Sequence, residues 1–141
     1  MDNGQIQLVR SSYARFAPNA RALGAEFYRC LFAINPEARA LFTGDMDAQA
    51  QKLMDMIGAV VSALDQPDRL LDTCHALGAR HAQYGVREED YDDVGTALLQ
   101  TLHAGLGDHY TDEVEAAWAT VYGEMAETMI GAGAEVEAAA G

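Results

Sequence analysis

The chain has 141 residues, half of them apolar, enough for one domain with a sizeable core and too few for two. Its 22 acids against 9 Lys plus Arg give a formal net charge of −13, which would repel phosphate backbones and anionic lipid and argues against nucleic-acid and membrane-surface functions. Alanine, leucine, glutamate and glutamine favour helix over sheet, no apolar run approaches the roughly 20 residues of a membrane span, and the opening MDNGQIQLVR lacks a secretory profile, so a soluble, cytoplasmic, all-α protein is expected.

In chain order, Ile6, Val9, Tyr13 and Phe16 form a first helical stripe stopped by Pro18. A second helix carries Leu23, Phe27, Leu31 and Ile34 on one face. Asn35 and Pro36 read as cap and first position of a short helix that gives out near Thr43 and Gly44. Asp45 to Asp47 opens a longer helix with Leu53, Met56, Ile57, Val60 and Leu64 on its apolar face. Asp65 and Pro67 start the next, which Gly85 and Val86 end just beyond His81.

The acidic stretch Glu88 to Asp93 leads into a helix with Val94, Leu98, Leu102 and Leu106, its charges suited to a helix N-terminus rather than to a calcium loop. Thr111 to Glu113 begin the last helix, where Trp118, Tyr122 and Met125 read as a packing stripe. The total is about seven helices. Residues 1–132 form the expected domain, and the low-complexity 133–141 an expected disordered tail. Cys30 and Cys74 have no CxxC or CxxCH spacing and read as buried free thiols.

Three side chains on separate amphipathic segments stand out: Tyr28, Gln49 and His81. A histidine on one helix, faced by a glutamine and a tyrosine from two others, supplies an axial nitrogen and hydrogen-bond donors of the kind an iron porphyrin needs. Taken singly, His81 could be a solvated or core histidine, Tyr28 a core tyrosine and Gln49 a surface amide. His75 lies on another helical face from His81, and His103 and His109 sit near a helix end or in a polar turn. No HExxH, glycine-rich phosphate loop or GxSxG is present.

The order and spacing of FYRCLF (27–32), PEARALF (36–42), QAQKLM (49–54), RHAQYGV (80–86) and AWATVYG (117–123) resemble the globins, specifically the bacterial single-domain haemoglobins of the flavohaemoglobin and Hell's Gate type. The resemblance runs from about Ile6 to Ile130 and implies a globin fold around a haem b. It implies His81 as the proximal iron ligand, with Leu77 and Val86 beside the porphyrin and Phe42 against its face. Tyr28, Gln49 and Leu53 match the distal positions, and Lys52 matches a basic residue that can reach a propionate. Tyr91 matches a tyrosine that flavohaemoglobins use, with a glutamate on the last helix, to tighten the histidine's hydrogen-bond network. The position of that glutamate is Gly133 here, and Glu135 lies two residues on.

What the resemblance implies is reversible binding of oxygen, with nitric oxide and carbon monoxide as further ligands. Flavohaemoglobins add flavin and nicotinamide domains beyond the globin part, so nitric oxide dioxygenation would need a separate reductase. A gas-sensor module with a separate output partner is the other reading, and a haem-free helical interaction protein the rival from a different class.

Overall fold

The computed structural model describes residues 1–140. Among them are six α-helices and no strand: α1 (Asn3–Phe16), α2 (Ala20–Ile34), α3 (Met46–Ala63), α4 (Pro67–Gln83), α5 (Glu88–Leu106) and α6 (Asp112–Ala140). Short 3-10 segments occupy Ala17–Asn19, Pro36–Leu41 and Gly107–His109. The segment after Pro36 is thus 3-10 rather than α. No helix among the described residues is long and apolar enough to cross a membrane.

The helix starts follow from local chemistry. Asp2 accepts from the Gln5 N–H at 2.8 Å while the Gln5 side chain accepts from the Asp2 N–H at 3.1 Å, a reciprocal cap for α1. The Asp45 carboxylate accepts from the Asp47 N–H at 3.0 Å and opens α3. Within the acidic stretch, Asp90 accepts from the Arg87 N–H at 2.8 Å and sets the start of α5. Asn35 behaves differently from its reading as a cap: its Nδ2 donates to Asp93 on α5 at 3.1 Å.

At the other end, α6 continues to Ala140, through most of the stretch 133–141 read from the sequence as a tail. Its distal part is alanine-rich, which favours helix, and Met129, Ala132 and Gly133 are buried along it. Gly141, the last residue of the expected tail, lies outside the described residues.

The largest apolar cluster joins α1, α3, α5 and α6 through Val9, Phe16, Val60, Leu102, Trp118 and Val121. Within it Trp118 Nε1 donates to Ser12 Oγ at 2.8 Å, and that hydroxyl donates on to the Leu8 carbonyl at 2.7 Å. Ser12→Ala should strand the indole N–H in a dry site and cost roughly 1–3 kcal/mol. A lower urea midpoint at unchanged m-value would register it, and an unchanged midpoint would contradict it.

Outside this cluster, α2 packs on α3 and α5, whereas α4 packs chiefly on α6 and much less on α3, its neighbour in sequence. The helices that carry Gln49 and His81 therefore rest on different supports: α3 packs on α2, and α4 on α6.

Candidate functional site

Tyr28 and Gln49 meet because α2 and α3 cross at very short range. A Cβ on Gly24 would lie 2.8 Å from Ala50 Cβ and 3.0 Å from the Ala50 carbonyl oxygen, so only glycine permits this approach. Tyr28 stands one turn beyond Gly24, and Gln49 is next to Ala50. At this crossing Gln49 Nε2 donates to the Tyr28 hydroxyl oxygen at 3.2 Å. The hydroxyl proton is left free to donate elsewhere. Burial raises the phenol's pKa above its ordinary value, with the Gln49 bond pulling the other way, so Tyr28 is a neutral donor near pH 7.

Aromatic neighbours hold Tyr28 in place. Phe27 and Phe42 meet it edge to face at centroid distances of 5.0 and 5.1 Å. Phe42 is itself fixed by Arg39, whose guanidinium donates to the Phe42 carbonyl at 2.6 Å and lies 5.6 Å from the Phe32 ring centroid. Leu53, one turn beyond Gln49, packs against this group, while Lys52 stands exposed on α3.

On α4, His81 is half-buried and its Nδ1 lies 2.7 Å from the Leu77 carbonyl oxygen. A carbonyl can only accept, so Nδ1 carries the proton and the Nε2 lone pair is free. Burial lowers the imidazole's pKa, the Leu77 bond opposes this, and the adjacent Arg80 lowers it again; the balance favours the neutral ring. Leu77 and Val86 belong to the apolar group around Cys74, Tyr91 and Met129. The Val86 N–H donates to the His81 carbonyl at 3.0 Å, which folds the chain back beside the ring.

Tyr91 lies against His81 with ring centroids 6.4 Å apart, and its own carbonyl accepts from the Tyr122 hydroxyl at 2.7 Å. Gly133 brings no carboxylate to this side, and Glu135 is exposed.

Tyr28 and Leu53 thus belong to one apolar group, and Leu77 and Val86 to another. An apolar cavity of about 60 Å³ is bordered by both, with Leu53, Val94 and Leu98 from the first and Tyr122 and Met125 from the second. Leu53, Met56, Ile57, Leu77 and Val86 are only half-buried although they face apolar neighbours.

The structure brings Tyr28, Gln49, Phe42 and Leu53 into one neighbourhood, and His81, Leu77, Val86 and Tyr91 into a second. Sequence reading missed Gly24 and Arg39, which hold the first neighbourhood together. An isolated glycine inside a helical pattern is the available signal for Gly24. Nothing local marks Arg39.

An all-helical domain that sets a neutral imidazole in one apolar neighbourhood and a phenol–amide pair in a second has the parts of a ligand-binding class. Which class becomes specific by comparison: the Globin family model matches residues 25–129, and the chain belongs to the globin family. It is 35% identical over 127 residues to a flavohemoprotein of Bordetella pertussis, covering 88% of this chain and 32% of that protein. A flavohemoprotein of Rhizobium meliloti is 30% identical over 132 residues, covering 92% and 33%. The chain therefore spans about a third of the length of these relatives. The fold is also that of a hexacoordinated heme protein from an anhydrobiotic tardigrade, with a TM-score of 0.86 at 19% identity and 94% of each chain covered.

Proposed function

We propose that this domain binds one non-covalent b-type haem and holds oxygen reversibly, with nitric oxide and carbon monoxide as further ligands. The observation that carries the reading is the His81–Leu77 bond, which leaves Nε2 as a free donor beside half-buried apolar side chains. The donor set suits the group: neutral imidazole is the usual protein ligand to haem iron, and its second nitrogen needs an orienting acceptor. When bound, the haem supplies the iron at which a diatomic gas is held.

His81 would hold the haem, with Leu77, Val86 and Phe42 packing on it and Lys52 offered to a propionate. Leu53 would bound the opposite side, where Tyr28 and Gln49 donate to the partial negative charge on oxygen. Tyr91 would steady the His81 ring by packing. A cytoplasmic setting accords with two buried free thiols, Cys30 and Cys74.

Titration of the haem-free protein with haemin tests this. The expected result is uptake of one equivalent, followed by a ferrous spectrum that cycles between oxygenated and deoxygenated forms. Binding to the native state alone should also raise the melting temperature, with roughly 2.7 kcal/mol gained at a hundredfold excess over Kd. Absence of stoichiometric uptake, or equal stability with and without haemin, would leave the helical interaction protein as the better reading.

A second reading, nitric oxide dioxygenation, is favoured by the flavohemoprotein relatives. Each nitric oxide converted with oxygen to nitrate takes up one electron, which a reductase would supply. Rapid mixing of the oxygenated protein with nitric oxide checks it: stoichiometric nitrate supports the reading, and simple displacement of oxygen counts against it.

A further inference from the structure

The helices α4 and α6 touch main chain to main chain at one point. A Cβ on Gly78 would stand 2.6 Å from Met129 Cα and 2.8 Å from its carbonyl carbon, closer than real Cβ contacts come. One turn further along α4 the contact continues with the roles exchanged. A Cβ on Gly133 would lie 3.3 Å from Ala82 Cβ and 3.5 Å from the Gly78 carbonyl oxygen. Met129 and Ala132 are 5% and 4% exposed, so the seam is dry. Glycine weakens a helix interior relative to alanine, and its use here lies in the contact.

The contact brackets the candidate ligand. Leu77, whose carbonyl holds His81 Nδ1 at 2.7 Å, immediately precedes Gly78, and His81 immediately precedes Ala82. A side-chain contact can yield by changing rotamer, whereas two main chains in contact cannot.

We propose that Gly78 is a positioning residue for the His81 imidazole: by seating the α4 main chain directly on Met129 of α6, it fixes the Leu77 carbonyl and so the orientation of the ring. The proposal rests on the haem reading for its consequence, though the seating itself does not need haem. A methyl at position 78 must lift α4 by on the order of an ångström to restore ordinary carbon–carbon separation. Leu77 and His81 both lie on α4, so the shift carries the Nδ1–H···O pair together and moves Nε2 off the position the haem reading requires of it, which weakens the imidazole as a ligand.

The test compares Gly78→Ala, Gly133→Ala and Gly131→Ala in the full chain; a Cβ on Gly131 meets nothing within 4 Å, which makes it the control. In the ferrous haem form, resonance Raman should show the iron–histidine stretch lowered in Gly78→Ala, lowered less in Gly133→Ala and unmoved in Gly131→Ala. Haem loss should accelerate by roughly tenfold to a hundredfold in Gly78→Ala. A merely structural role for the glycine would lower stability without moving that frequency. Wild-type frequency and haem loss in Gly78→Ala overturn the proposal, and if that variant does not fold, an unmoved frequency in Gly133→Ala does so.

In the haem-free chain, amide exchange over residues 77–82 should rise in Gly78→Ala while α1 stays protected. Should wild type take up no haem, the haem reading fails separately, and this exchange measurement decides the seating: unchanged exchange overturns it.

Discussion

His81→Ala is expected to abolish stable haem retention while leaving the helical content of the haem-free protein intact. The ring is half-buried, and its removal deletes the Nε2 donor that the Leu77 carbonyl orients. No other histidine is placed to substitute. His75 is exposed on another face of α4, His103 stacks on Tyr110 at 5.0 Å, and His109 lies 3.1 Å from Arg15. Imidazole added to the buffer should partly restore haem binding by filling the space left beside Leu77. A variant that holds haem as firmly as wild type, with an unchanged ferrous spectrum, would show that His81 is not the ligand.

The residues of both candidate neighbourhoods could be named from the sequence because their determinants are local or motif-bound. Apolar periodicity located α2 and α3, Asp65 and Pro67 with Gly85 and Val86 bounded α4, and Asp45 and the acidic run before Val94 marked helix starts that the structure shows as Asp45 and Asp90 accepting from backbone N–H groups. Errors arose where a distant partner competed with a local preference. Asn35 has the residue type and the following proline of a cap, yet its amide is taken by Asp93, 58 residues away. The low complexity of 133–141 suggested a disordered tail, but a Cβ on Gly133 would touch Ala82 of α4 and the helix continues to Ala140. The crossing that joins Tyr28 to Gln49 depends on Gly24 meeting Ala50, a contact between two segments that periodicity treats separately.

The distal pair gives the second large effect. Tyr28→Phe keeps the ring among Phe27, Phe32 and Phe42 and removes only the hydroxyl, so packing should be nearly preserved. In wild type the hydroxyl accepts from Gln49 and keeps its own proton available, which makes the two side chains a relay rather than independent donors. Losing the phenol donor should accelerate oxygen release by roughly tenfold to a hundredfold, corresponding to about 1–3 kcal/mol. Carbon monoxide carries far less negative charge in such a pocket, so its release should change much less. Gln49→Leu should act in the same direction on oxygen. The double variant should fall short of the product of the two single effects, because each substitution already breaks the bond that aims the other group. Equal acceleration of oxygen and carbon monoxide would instead assign Tyr28 a steric role, and no change in either would remove it from the site.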